Sequence, residues 1–517
     1  MEVDSDAPAS QAWPQEKLKQ GVIVPEDSPF DLEQVAAQYE GQSTSAPVHL
    51  LHNFCSTALP PSGRTKVTRL NHIANSSPSL AGPALTLTLA SIKADTLDTT
   101  LYESTFSSYR QCVNSIATGE NKDPLAVAWH QSVKGKEVPI DRVWLEKTRR
   151  EAQSGIDKLE VELKGYTTNL IKESIRMGHR DLARFLYRTG DFQGAIRSYT
   201  KSREFCTTNH HVLEMCLGII EVAFEVSNYS FVRNYVVKAE SALDAINSPS
   251  QSGKTKPAPT NLPGMLAPGM DPVEAAKEKE KLSIQERLTI ANGVAFLGMN
   301  NYDRAARAFT GVGKETLSSQ IGHFIPPADI ALYAVMTGLA SFTREEIKRK
   351  LLENADLRPM LDVEPYLRDI LRAFYENRFK EGLGLLEKHS VRQLLDVHLH
   401  THVPRLMQLI RSRALLVYFQ PYSSVSIGRM ATAFGFTDSE LRTSVTALIN
   451  TGEFKARIDN QASVFVARKK DVRAEAFKKA LEEGEKIQRR TVAAELRMRL
   501  IQADVVVKGP KNSQEAY

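Results

Sequence analysis

The chain has 517 residues, of which 42% are hydrophobic and 25% are charged, and its formal net charge is +5. This length predicts two or three domains, and the composition excludes both a wholly disordered chain and a membrane-embedded one. The 66 basic residues are nearly balanced by 61 acidic ones, which disfavours a dedicated nucleic-acid binder. The start is acidic and its first apolar run, 22–24, is only three residues long. We therefore expect no signal peptide and a location in the cytoplasm and nucleus.

The N-terminal part divides by composition. Residues 1–30 are rich in Pro, Ser, Asp and Glu and are predicted to be disordered. Apolar periodicity begins near residue 31, and alternating charged and apolar residues predict a long amphipathic helix over 142–163. Between these regions, 75–99 has no clear pattern, whereas Gly, Pro and charged residues predict a loop over 117–138. We assign 31–246 to an N-terminal domain of helices and helical repeats.

A weak internal repeat of four segments is the most informative feature. In each copy an aromatic residue follows a short polar turn, and an uncharged, mostly bulky pair stands five and six residues earlier. The four aromatic residues are Phe192, Tyr229, Tyr302 and Phe379. The residues three and seven positions later are Ala195 and Tyr199, Val232 and Val236, Ala305 and Phe309, and Gly382 and Leu386. The pattern predicts a TPR-like stack of helical hairpins that binds other polypeptides, with chance spacing in a helix-rich chain as the alternative.

The repeats are interrupted once. Residues 247–272 contain six prolines with Ser, Gly and Lys and no periodicity, which predicts a flexible insertion. Residues 273–402 return to helical patterning. Within them, the uncharged run 330–342 is too short to span a bilayer and predicts a buried helix.

After residue 402 the pattern changes to that of a winged helix. Helices are predicted over 403–418, 427–434 and 438–450, with Thr437 or Asp438 capping the third helix and Gly452 ending it. Two alternating segments, 453–458 and 463–468, predict a β-hairpin. We assign 403–470 to the winged helix, 471–507 to a long terminal helix with an apolar seam, and 508–517 to a tail. The fold class is mainly α: a hairpin stack, a winged helix and a terminal helix.

A winged helix first suggests DNA binding through its third helix. That helix carries two acids, Asp438 and Glu440, and one base, Arg442, in its first turns. This charge would repel phosphate, so protein docking is favoured and nucleic-acid binding remains an alternative.

One cluster has metal-ligand character: His398, His400 and His402 alternate along the chain. Alternating histidines on a strand could share a metal, but no carboxylate or cysteine stands at a usual ligand spacing. We interpret them as helix-end or surface histidines. No phosphate-binding loop, dinucleotide-binding glycine pattern or nucleophile elbow is present in the sequence. No catalytic, metal or cofactor residue is therefore predicted.

Short runs of sequence resemble the PCI family, in which helical repeats lead into a winged helix. The runs 171–182, 237–241, 411–415, 418–422, 429–434 and 456–459 are similar to those of the subunit-one family of the COP-nine signalosome. The similarity covers roughly 31–503, without 75–138 and 247–272. A related proteasome-lid subunit shares 430–435 and 458–459, and it is the alternative. The run 172–179 is expected in the signalosome family alone.

The resemblance implies a non-catalytic scaffold. The signalosome removes the ubiquitin-like modifier Nedd8 from cullins, and its metalloprotease is a different subunit that needs His-x-His followed by Ser and Asp. Here Gln408 and Arg411 stand where those residues would fall after His400. The expected partners are other signalosome subunits, and indirectly cullin-RING ligases, with no nucleic acid, membrane or small-molecule substrate. Partner contacts are expected through the winged-helix strand edge and the terminal helix, at Phe454, Ala456, Ile458, Val464, Val466, Phe477, Leu481, Val492, Leu496 and Leu500.

Overall fold

The computed structural model describes residues 32, 64–118, 123–133, 138–247, 272–313, 325–468, 472–503 and 505. The predicted disordered segment 1–30, most of the insertion (248–271) and the tail 508–517 lie outside the described residues. The described part is mainly helical, which confirms the predicted fold class. It forms two compact units, and the first comprises the described residues up to Tyr418 together with Ala433–Phe436. The predicted domain bounds stay predictions.

The helices of the N-terminal part are α1 (Arg64–Ser76), α2 (Ala81–Asp95), α3 (Thr99–Ala117), α4 (Pro124–Val133) and α5 (Arg142–Thr168). The region 75–99 thus contains α2. The loop predicted over 117–138 is wrong in its middle, where α4 forms. The apolar run of α4 is unbroken from Leu125 to Trp129, and Trp129 packs closely on Gly82 of α2, so this packing offsets the helix-breaking residues on either side.

The repeat region consists of antiparallel helix pairs. Its helices are α6 (Lys172–Thr189), α7 (Phe192–Ser202), α8 (Asn209–Glu225), α9 (Tyr229–Asn247), α10 (Pro272–Gly298), α11 (Tyr302–Thr310), α12 (Pro327–Ser341), α13 (Arg344–Ile347), α14 (Arg358–Val363), α15 (Pro365–Tyr375), α16 (Phe379–Lys388) and α17 (Ser390–Leu394). A short 3-10 helix (Arg203–Phe205) and a π-helical turn (Lys348–Leu352) complete it. Helix α12 is buried along nearly its whole length, as the uncharged run 330–342 predicts.

The four repeat turns share one backbone conformation. In each turn one residue, one or two positions after the end of the first helix, has a left-handed backbone: Gly190 (φ 93°), Ser227 (φ 55°), Asn300 (φ 60°) and Asn377 (φ 63°). In each turn two N–H groups donate back to the pair five and six residues before the aromatic residue, for example Asp191 to Leu186 and Gly190 to Tyr187. This pattern of two backbone hydrogen bonds is the Schellman cap. The spacing therefore comes from the backbone cap, and each aromatic residue begins the second helix.

The second unit holds a three-stranded sheet. It comprises the described residues of Phe419–Thr432 and Thr437–Tyr517. Its strands are β1 (Ser424–Ser426), β2 (Ala456–Asp459) and β3 (Val464–Ala467), in the antiparallel order β1-β3-β2. Strand β1 was not predicted, because three residues are too few for an alternating pattern to show in the sequence.

The remaining helices are α18 (Val403–Phe419), α19 (Ile427–Phe434), α20 (Asp438–Asn450) and α21 (Val472–Gln502). Thr437 and Glu440 form a capping box at the start of α20, which confirms the predicted cap. Within the described residues, no helix combines the length and the apolar character needed to cross a membrane.

Candidate protein-interaction surfaces

The sheet has β3 in the centre and β1 and β2 at its edges. Arg457 pairs with Val466 and Asp459 pairs with Val464, and Arg468 donates its N–H to Lys455 at 2.9 Å. Since bonding and non-bonding residues alternate along an antiparallel strand, the main-chain groups of Ala456 and Ile458 point away from β3. The N–H of Ala456 donates instead to Phe454 at 3.1 Å. Ile458 therefore offers both a donor and an acceptor at the β2 edge.

Two of the predicted contact residues on the sheet need correction. The side chains of Phe454 and Ala456 are buried (2% and 5% exposed), so they belong to the core of the sheet rather than to a surface. Phe454 lies 4.6 Å from Phe419 between ring centroids and meets Phe465 edge to face. Val464 and Val466 lie on the central strand, whose main chain is paired on both sides. The side chain of Val466 is nevertheless exposed, and side-chain contacts of these two residues with a partner stay a prediction. The β2–β3 hairpin therefore has no open edge at β3, because β1 pairs with β3 on that side.

The turn between β2 and β3 is held by Arg442, the basic residue of α20, which is the third helix of the winged helix. Arg442 donates to Asn460 Oδ1 at 2.8 Å and to Ser463 Oγ at 3.5 Å. The carboxylate of Glu440 accepts from the Thr437 N–H at 3.1 Å. Arg442, the basic group that a DNA-reading helix would direct outward, is therefore engaged within the module, as is Glu440.

Helix α21 exposes its apolar side chains. Every described side chain from 473 to 503 is exposed, including the predicted seam residues Phe477, Leu481, Val492, Leu496 and Leu500. A second exposed apolar line was missed: Ile487, Met498, Ile501 and Val505. With Ala494, these positions recur at the heptad spacing of a coiled coil, which a search for one seam does not detect. The second half of α21 is therefore apolar on two sides.

The three alternating histidines contact three different elements. His398 Nδ1 lies 3.2 Å from the Tyr229 hydroxyl, and His402 Nδ1 lies 3.1 Å from Asn300 Oδ1. The His400 ring lies 4.3 Å from the ring of His72 on α1. Among the described residues, no group of three or more His, Cys, Asp and Glu side chains is placed to hold a metal ion.

Burial favours the neutral form of His398, His402 and His72. It lowers the pKa of His398 and of His402, and together with the neighbouring His400 it lowers the pKa of His72 to about 4. A neutral imidazole can share a hydrogen bond with a tyrosine or an asparagine without a buried charge. The three histidines therefore connect parts of the helical stack through these contacts.

Comparisons with known proteins decide the family. The family model "26S proteasome subunit RPN7" matches residues 141–350, and the "PCI domain" model matches 386–469. The COP9 signalosome complex subunit 1 of Arabidopsis thaliana is 34% identical over 77% of this chain and 82% of its own length. The chain belongs to the COP9 signalosome subunit 1 family.

Other members and relatives agree with this assignment. The COP9 signalosome complex subunit 1b of Drosophila melanogaster is 33% identical over 71% of this chain and 64% of its own length. A 26S proteasome non-ATPase regulatory subunit 6 homolog of Arabidopsis thaliana is 19% identical over 67% of this chain and 80% of its own. The predicted resemblance to the signalosome family is therefore confirmed, and the proteasome-lid alternative is the more distant relationship. The relatives of this family are named as subunits of the signalosome complex.

Proposed function

We propose that this signalosome subunit is a non-catalytic scaffold that supports assembly of the complex that removes Nedd8 from cullin-RING ligases. The observation that carries the proposal is the exposure of two apolar lines on α21. Burying one large apolar side chain contributes about 1.5–3 kcal/mol. A helix with this many such side chains in solvent is expected to be covered by partner helices.

The two lines also indicate how α21 is covered. The seam residues 492, 496 and 500 and the heptad residues 487, 494, 498 and 501 occupy different sides of one helix. One neighbouring helix buries one side, so two or more partner helices are needed to cover both. The open main-chain groups of Ile458 at the β2 edge supply a second contact, by strand addition to a neighbouring subunit.

The catalytic part of the proposal rests on the histidines. A metalloprotease needs ligands that converge on one ion and leave an open position. The imidazoles of residues 398, 400 and 402 diverge to α9, α1 and α11. We therefore assign deneddylation chemistry to another subunit, and we propose that the complex acts in the cytoplasm and nucleus.

The test compares two variants of α21 in reconstituted or native complexes. Leu496→Glu with Leu500→Glu places two charges on the seam, and Arg497→Glu places one beside it on a polar side of the helix. The seam variant should lose co-purification with the other subunits and lower deneddylation of cullins by the assembled fraction. Arg497→Glu should retain both. Full assembly of the seam variant would refute the scaffold role of α21.

A further inference from the structure

Helix α1 lies along one edge of the repeat stack, where the hairpin turns are. We call the surface beneath α1 the turn edge; it consists of the turn residues 187–192 and 223–229 together with Asp329 of α12 and Asp396. From N- to C-terminus, α1 contacts the first hairpin through Arg64 and the second through Thr68. It then contacts helix α12 through Arg69 and the segment 398–402, which contains the three alternating histidines, through His72. A 13-residue helix is about 20 Å long, enough to cross several hairpins.

The N-terminal end of α1 is held at the first turn. Arg64 donates to the Tyr187 carbonyl at 3.4 Å, and its guanidinium lies 4.7 Å from the centre of the Phe192 ring. It also pairs with Asp98 at 2.6 Å. One turn later, the hydroxyl of Thr68 donates to Glu225 at 2.9 Å, at the end of α8.

The middle of α1 meets buried acids. Arg69 pairs with Asp329 of α12 and lies 3.5 Å from Asp396, and all three side chains are buried. Arg392 also pairs with Asp329, and Tyr333 donates to Asp396 at 2.7 Å. Although burial opposes ionisation, the guanidinium groups of Arg69 and Arg392 hold the pKa of Asp329 below its ordinary value.

The same helix has an apolar face, so α1 is a basic amphipathic helix. Val67, Leu70 and Ile73 are almost fully buried, and the arginines stand beside them. The surface beneath α1 complements it, with three carboxylates (Glu225, Asp329 and Asp396) and the aromatic rings of Tyr187 and Phe192. Such complementarity between a basic helix and an acidic, aromatic surface is typical of helix-in-groove recognition.

We propose that the turn edge is a binding site for a basic amphipathic helix and that α1 fills it in cis. The site then becomes available to a helix of another protein when α1 leaves. Release of α1 leaves Asp329 and Asp396 with one arginine, Arg392, in place of two, and leaves Glu225 without the Thr68 hydroxyl. An incoming helix with an arginine and flanking aliphatic residues would restore those contacts, whereas an acidic helix would not.

The experiment uses the full chain and a fluorescent peptide of residues 64–76. Arg64→Glu with Arg69→Glu should release α1, because each substitution places a carboxylate against buried acids. The variant should bind the peptide at least tenfold more tightly than the wild-type chain, in which the site is filled. A peptide that itself carries Arg69→Glu should bind the variant at least tenfold more weakly. Asn75→Glu, an exposed change on the same helix, is the matched control and should behave as wild type.

Hydrogen exchange measured on the same variants keeps the test decisive. Release of α1 predicts faster exchange over 64–76 with the protection of α8 and α12 retained. If the repeats lose their protection as well, α1 is part of the core and the proposal is overturned. Equal peptide binding by the variant and the wild-type chain, or no binding by either, overturns it too.

Discussion

The hydroxyl of Tyr229 and Nδ1 of His398 lie 3.2 Å apart, which joins the second hairpin to a segment 169 residues later. Tyr302 and His402 repeat this arrangement at the third hairpin, with 3.4 Å between the same atoms. Two of the aromatic residues that define the sequence repeat thus meet two of the histidines that suggest a metal. Both motifs belong to one structural feature, the contact of the segment 398–402 with the second and third hairpins.

The contact of His72 with His400 in this segment predicts that the folded protein loses stability in acid. The pKa of His72 is lowered to about 4 by burial and by His400, so the unfolded chain binds more protons there than the folded one. The free energy of unfolding is therefore expected to fall as the pH drops from 6.5 towards 4, by about 2 kcal/mol at pH 5 from His72 alone. Urea unfolding at pH 7.5 and at pH 5 measures the effect.

The control for this prediction is His72→Gln, which keeps a polar side chain without a proton to gain. Buried acids with raised pKa values, such as Glu225 and Glu364, act in the opposite direction but contribute equally to both proteins. The stability loss between pH 7.5 and pH 5 should be smaller in His72→Gln. An identical loss in the two proteins would contradict the assignment to His72.

Gly190→Ala should be strongly destabilising. Gly190 has φ 93°, where a Cβ costs about 1–2 kcal/mol, and the new methyl group would overlap the Asp98 carboxylate that pairs with Arg64. We expect a loss of about 2 kcal/mol or more in thermal or urea unfolding. Gly165→Ala, inside α5 with open space around it, should instead gain about 0.5–1 kcal/mol. Similar effects at both sites would argue against the strained turn.

Two equivalent repeat positions should differ in their sensitivity. Phe379 is 1% exposed and stacks on Phe434 with ring centroids 5.0 Å apart, whereas Phe192 is half-buried. Phe379→Ala is expected to cost about 3–5 kcal/mol and Phe192→Ala about half of that. Chemical unfolding of both variants provides the comparison. Equal losses of unfolding free energy in the two variants would mean that the repeat position of the aromatic residue, and not its burial, determines the destabilisation.

Arg442→Ala should loosen the turn between β2 and β3. Its guanidinium bonds to Asn460 and Ser463 are exposed, so global stability should change by less than about 1 kcal/mol while hydrogen exchange over 459–463 becomes faster. Thr443→Ala, on the same exposed helix surface, should leave that turn unchanged.

The nucleic-acid alternative is tested separately at low salt. Because Arg442 is engaged within the module and Asp438 and Glu440 lie beside it, the chain is expected to show no salt-dependent duplex binding. Binding that is lost when Arg442 and Lys455 are neutralised would support the alternative and contradict protein docking as the role of this helix.

Local features were predictable because neighbouring residues determine them. The Asn, Gly and Ser turns before Phe192, Tyr229, Tyr302 and Phe379 encode left-handed caps, and capping is decided within six residues of chain. The cap at Thr437 and the exposed seam of α21 were predictable for the same reason.

Other features depend on residues that are distant in the sequence. The burial of Phe454, the third strand of the sheet and the pairing of Arg69 with Asp329, 260 residues later, have no local signature. A charge inside an apolar helix becomes tolerable only when its partner is brought to it. The sequence by itself determined the helical repeat and the family. Only the tertiary structure decided which polar residues are buried and what covers the turn edge, because burial depends on the packing of the whole chain.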